Sequence, residues 1–410
     1  MKKLLLILIC LPIIGFGQGW VRGYIDAYAY SVDQTNDGGY IVAGGISTPN
    51  NQSDIWLLKT DGQGIQQWIN TFSTNERDLC YAVKQTADGC YILSGHIGET
   101  DTSDGEFWVS KVDSFGQQIW SNTYNDANSS FSIEQTNDGS FVFAGTGGNI
   151  YKADNNGHLI WSHSYHIDFE TIYYITKTLD GGFIISGLDT MLKACIMKTD
   201  SLGVKEWKKV YGSNNTDWEQ ISSVQEISGG FVLVGEQEFI SGSNTGYNNI
   251  WLIKTNLSGD TLWEKSIVLA SYPFISARSI QQTTDGGFII SGFLISNQND
   301  YDIFLLKTNA NGVEQWQKTF GGSGMDASFA VRQTFDGGYV IAGFSETHTL
   351  IKTDGNGNIT STFNISSINN SNGQLLKVTD LIGRETKGKK NEPLFYIYDD
   401  GTVEKKIIIE

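Results

Sequence analysis

The sequence predicts an all-β fold: seven copies of one four-stranded unit, closed into a ring by a strand at the N-terminus and followed by a short C-terminal β tail. Three observations carry this. A glycine at the turn between two strands recurs at Gly38, Gly89, Gly139, Gly181, Gly229, Gly286 and Gly337. The steps between copies, 51, 50, 42, 48, 57 and 51 residues, are those of propeller blades and too long for short solenoid repeats. A tryptophan that marks the fourth strand is present in six copies and absent from the seventh, while a matching one stands ahead of the first copy. The expected architecture is therefore a seven-bladed β-propeller over residues 18–360.

Residues 1–17, "MKKLLLILICLPIIGFG", combine two lysines, an apolar run from Leu4 to Phe16 and small residues at the end, which reads as a secretory signal peptide. The run is too short to span a bilayer, and no later segment reaches the ~18 apolar residues a membrane helix needs. Cys10 follows the bulky Ile9, where a lipidation motif wants a small residue.

Each unit then parses the same way. The first strand ends in Gln-Thr or its equivalent, and an Asp-Gly pair supplies a tight hairpin turn, because glycine tolerates positive φ and aspartate bonds its own backbone. The second strand is an unbroken apolar run closing on a small residue and glycine, from "YIVAG" to "YVIAG"; such a run means cover on both faces. The third strand ends in Lys-x-Asp/Asn. A second glycine turn leads to the fourth strand, with its tryptophan at Trp68, Trp120, Trp161, Trp207, Trp263 or Trp316. Trp20 in "WVRGY" matches Trp316 in "WQKTF", so residues 18–25 are expected to pair with the third strand of the last unit, near Leu350 to Thr353. Closure covers two blade faces and two strand edges that an open ring would expose. All seven tryptophans are expected to pack between blades. The recurring Lys59, Lys111, Lys152, Lys198, Lys254, Lys307 and Lys352 are expected to pair with turn aspartates such as Asp37, Asp88 and Asp336.

Several resemblances bear on these motifs. The run Asp61, Gly64, Trp68 is similar to the tryptophan-docking motif of quinoprotein propellers, whose members would imply a quinone and calcium; no adjacent cysteine pair accompanies it here, and the packing role alone is kept. The phrase T-x-D-G-G-Y looks like a loose Asp-box of sialidases, whose chemistry implies an arginine triad, and the chain has only five arginines in all. The signatures of WD40 and kelch repeats are absent. After an Asn/Ser-rich linker (361–373), residues 374–410 resemble the C-terminal sorting domain of the Bacteroidetes type IX secretion system, on "VTDLIGRE" with Asp380, Gly383 and Arg384 and on "YIYDDGTVEKKIII" with Lys405 and Lys406. That resemblance implies the secretion machinery as a partner, export across the outer membrane, and a secreted or surface location. The residues themselves read as three short strands with a turn at Asp400-Gly401.

Composition narrows the function. A net charge of -17 argues against nucleic acid or anionic lipid as partner. Cys80, Cys90 and Cys195 make no disulfide framework and lack zinc-site spacing. The five histidines show no H-E-x-x-H pairing. Aspartates recur in the loops entering the first strand, at Asp26, Asp78, Asp126, Asp168, Asp217 and Asp326; a ring of them could hold calcium, although carboxylates also cap loop amides. No other cofactor is expected. Unrepeated aromatic and cationic groups gather on the fifth and sixth units, and Trp218, Tyr247, Phe274 and Arg278 are the candidate ligand-binding residues, on the variable-loop face. Rings and a guanidinium suit a glycan, a peptide or a surface protein. The expected function is a binding module, monomeric and without catalysis. The alternative is a polysaccharide hydrolase or lyase, which needs two carboxylates about 5–10 Å apart or a metal-bound water.

Overall fold

The Asp-Gly turns fold as expected: in the first unit the Gly38 amide bonds the Thr35 carbonyl at 2.8 Å, with Gly38 at φ 82°. In the computed structural model each blade is a four-stranded antiparallel sheet, with its strands in sequence order in six blades and the N-terminal strand outermost in the seventh. The structure describes residues 19–359 apart from 25, 49–51, 75, 101–104, 125–128, 213–218, 242–244, 270–273, 296–299, 323 and 346–349, together with strands 375–379, 393–398 and 403–407. The signal-peptide segment and the linker lie outside these residues. The chain divides into two units after Ser361.

Seven blades form the first unit, and the seventh is completed by the N-terminal strand Trp20–Arg22. It pairs antiparallel with Leu350–Thr353, in the register Trp20 to Lys352, Val21 to Ile351 and Arg22 to Leu350. The fold is thus the predicted all-β propeller, with its ring closed as predicted.

The second strands show why the sequence writes them as unbroken apolar runs. In Tyr40–Ser47, Tyr40 and Val42 pack with Ala330, Val340 and Leu350 of the seventh blade, while Ile41 and Ala43 pack with Cys80, Val83 and Leu93 of the second. Alternate side chains therefore serve two different junction cores. Fourth strands face outward and show an alternating exposed pattern, as in Glu314–Phe320.

At each junction the fourth-strand tryptophan lies on the second-turn glycine of the next blade. A Cβ on Gly64 would meet the Trp20 indole at 2.5 Å, and one on Gly357 would meet Trp316 at 2.6 Å, with five equivalent contacts between. Glycine is required twice over, by this close approach and by φ values near +71° at Gly64 and +76° at Gly357. Tyr24, Tyr124 and Tyr211, four residues beyond their tryptophans, donate hydrogen bonds to the same glycines' carbonyls at 2.8–3.2 Å. One expectation needs correction. Trp20 is 2% exposed, but its six counterparts are half-buried. They sit on the outermost strand, where one side of the ring meets solvent, whereas the Arg22 guanidinium covers Trp20 at 5.3 Å.

The lysines pair as expected in six blades, with Asp37, Asp88, Asp138, Asp180, Asp285 and Asp336 at 2.5–3.0 Å. The fifth blade differs, because Ser228 stands where the others carry the turn aspartate opposite Lys254.

The second unit contains three antiparallel strands, Leu375–Thr379, Pro393–Tyr398 and Val403–Ile407, with Pro393–Tyr398 in the middle. The predicted turn at Asp400-Gly401 lies outside the described residues.

Candidate functional site

Every first strand, innermost in its blade, carries a β-bulge. The extra residue is Tyr30, Tyr81, Phe131, Tyr173, Ser222, Arg278 or Phe329. The closing glycine of the second strand explains why the bulge recurs. A Cβ on Gly44 would stand 1.7 Å from the Tyr28 carbonyl oxygen, and one on Gly292 1.9 Å from that of Ser276, so the bulged backbone needs a residue without a side chain opposite.

All seven bulge residues line one cavity of about 110 Å³ in the bore of the ring. Five are aromatic and form a continuous arc. Ring centroids are 4.9 Å apart between Phe329 and Tyr30, 5.2 Å to Tyr81, 5.0 Å to Phe131 and 6.3 Å to Tyr173. These rings are half-buried. Burial is the main influence on the Tyr30, Tyr81 and Tyr173 phenols and pushes their pKa up, keeping them neutral.

Ser222 and Arg278 fill the rest of the circle. The Ser222 hydroxyl is buried and has no hydrogen-bond partner among the described residues, and neither has the Nε of Arg278. The Arg278 guanidinium lies 5.5 Å from the Phe293 ring centroid. Behind it, Glu236 is 2% exposed. Desolvation raises the Glu236 pKa against the opposing pull of Arg278 and hydrogen bonds from Ser276, Gln220 and Asn248.

One layer further along the bore the wall is charged. Lys84 forms an ion pair with Glu134. Burial raises the Asp33 carboxyl, against the nearby charges of Lys84 and Arg332. The next layer seals the ring by hydrogen bonds between blades: Gln85 accepts from the Asn36 amide and Gln135 from the Ala87 amide, both at 2.8 Å. Gln34 accepts from Phe335 at 2.8 Å across the closure.

Of the four predicted ligand residues, the side chains of Arg278 and Phe274 can be placed. Arg278 is in the bore wall and not on a variable loop, because the bulge turns it inward. Phe274 begins the same strand and is 43% exposed. Tyr247 lies in the strand Thr245–Asn256, paired with Phe239. Trp218 lies outside the described residues. Among the acidic candidates for a cation, Asp78 is buried and accepts from the Thr74 and Gly98 amides at 2.7 Å, and Asp326 accepts from the Gly322 amide at 2.8 Å. Asp168 pairs with Lys205 at 2.7 Å, Asp26 is exposed at φ 59°, and Asp126 and Asp217 lie outside the described residues. Among the described residues no three acidic, histidine or cysteine side chains gather as metal ligands. Cys80 and Cys195 are buried free thiols, and Cys90 is a half-buried one.

The aromatic arc was missed in the sequence, although a signal existed: each bulge residue stands four places before the Gln of Gln-Thr or its equivalent.

No family model matches the chain, and no curated protein sequence is similar to it. Solved structures do resemble it. The WD40 propeller domain of Doa1 aligns over 83% of this chain and 97% of its own, with TM-score 0.54 and 12% identity. A streptogramin B lyase aligns over 82% and 97%, with TM-score 0.52 and 13% identity. The Pan2 WD40 domain of Neurospora crassa aligns over 82% and 91%, with TM-score 0.51 and 10% identity. At such identities the likeness is one of fold, and the chain is a seven-bladed β-propeller.

Proposed function

We propose that the protein is a secreted or surface-exposed binding module that takes its ligand at the bore of the propeller. The observation that carries this reading is the aromatic arc, since half-buried rings around one cavity offer stacking area at low cost in side-chain entropy. Phe274 is a further candidate contact, at the start of the strand that carries Arg278, and Tyr247 and Trp218 are kept as candidates from the sequence. Secretion is supported by the leader of residues 1–17, and surface delivery by the likeness of residues 374–410 to a type IX sorting domain. Glycans, acidic peptides and surface proteins are the ligand classes to screen on arrays with the full chain. Binding should be lost in the double variant Tyr81→Ala/Phe131→Ala while the melting temperature shifts by only a few degrees. Retained binding would exclude the bore. Turnover of the bound molecule, lost in Glu236→Gln, would replace binding by catalysis.

A further inference from the structure

The cavity wall is at odds with the charge of the protein. The chain has a net charge of -17, yet the residues lining the bore cavity include three cations, Lys84, Arg278 and Arg332, and no aspartate or glutamate. All three cations are answered by carboxylates just outside the lining: Lys84 by its ion pair with Glu134, Arg332 by the charge of Asp33, and Arg278 by the charge of the buried Glu236. Arg278 nevertheless keeps one donor free, its buried Nε having no partner among the described residues. Beside it in the lining stands Ser222, 8% exposed, with a hydroxyl that has no partner among the described residues. A buried donor left unmatched is destabilising, so both groups are set to receive an acceptor. A carboxylate meets a guanidinium fork with two parallel hydrogen bonds and is the acceptor that fits.

Size and the opposite wall define the rest of the ligand. At about 110 Å³, well above the roughly 10–15 Å³ a cavity needs to hold one water, the bore has room for a small polar ring. Facing Arg278 and Ser222 around the bore is an arc of five aromatic rings, three of them with phenol hydroxyls. Ring faces pack against the C–H face of a saturated ring, and neutral phenols hydrogen-bond to hydroxyls. We infer that the bore cavity binds a single hexuronate residue, its carboxylate held by Arg278 and Ser222 and its ring against the tyrosine arc. The inference rests on the reading of the bore as a binding site.

The test is calorimetric titration of the full chain with glucuronate, its methyl ester, glucose and an oligouronide. Glucuronate should bind, and the ester and glucose should bind about 10- to 100-fold more weakly, the range expected for losing charge-assisted hydrogen bonds. Arg278→Gln should erase the preference for acid over ester. Ser222→Leu, which fills the cavity and leaves Arg278 in place, should abolish binding in a chain that still melts near the wild-type temperature. Tighter binding of the oligouronide would make the ligand a residue of a longer chain, and equal binding a free monosaccharide; either supports the inference. Equal affinity for acid and ester, or an acid preference that survives Arg278→Gln, would overturn it while leaving the bore as a neutral-sugar site if Tyr81→Ala weakens binding. Acidic peptides bound through Arg278, with glucuronate ignored, would overturn it in favour of a peptide ligand. A bore that no probe occupies would overturn both readings.

Discussion

The blade junctions and the bore use the same seven-fold frame in opposite ways. At the junctions one contact is copied: an indole on a glycine, seven times round, with a lysine–aspartate pair beside it in six blades. At the bulges one position is kept and its occupant changes, from tyrosine and phenylalanine to serine and arginine. Identical parts suit a scaffold, because each junction has the same task. A ligand has no seven-fold symmetry, so a site for it is built where the repeat is broken. The fifth and sixth blades break it most, with Ser222 and Arg278 in place of rings.

The largest effect should come from the junction at the ring closure. Trp20→Ala removes a fully buried indole and should cost about 3–5 kcal/mol, seen as a lower urea midpoint. Trp316→Ala, on the half-buried counterpart, should cost clearly less. Equal losses would mean that Arg22 and the closing strand give Trp20 nothing its counterparts lack.

A middle-sized effect should separate the six paired lysines from the unmatched one. Lys59 is 3% exposed and donates to Asp37, to the Thr60 carbonyl at 2.8 Å and to Gln67 at 3.1 Å. Lys59→Met should lose about 1–3 kcal/mol, as expected for stripping partners from buried groups. Lys254→Met should lose less, since no turn aspartate opposes it. If both cost the same, the turn carboxylate contributes nothing and the lysine acts through its neighbours' carbonyls.

The smallest effect should be a shared pH response. Desolvation works to raise Asp37, Asp180 and Asp285, but hydrogen bonds from the paired lysines, the turn threonines and the turn glycine amides outweigh it and hold each at about 2. Asp88 and Asp138 are held lower still. A carboxyl with a depressed folded pKa stabilises the fold above its unfolded value, near pH 4, and that stability is lost as pH falls through the folded value. The urea midpoint should therefore decline from about pH 4 to pH 2, and less steeply in Asp37→Asn/Asp285→Asn. An unchanged slope would show that these exposed carboxylates are screened to no effect.

Much of this was legible in the sequence because it is local and repeated. Turn aspartates, apolar runs and second-turn glycines are short-range patterns, and seven copies turn weak signals into a count. The displaced tryptophan even set the closure, since the last blade lacked a strand that the N-terminus supplied. What the sequence left open was direction. Strand side chains alternate with period two, and a single extra residue reverses the alternation from that point on. The bulge opposite each closing glycine therefore decided that Tyr81 and Arg278 line the bore. The ring likewise decided how deep each tryptophan lies, because exposure depends on what an adjacent strand places over it. The chain by itself determined the blades and their closure; the tertiary structure alone decided which of the unrepeated residues face one another, because only a closed ring brings seven strands, distant in sequence, to a common axis.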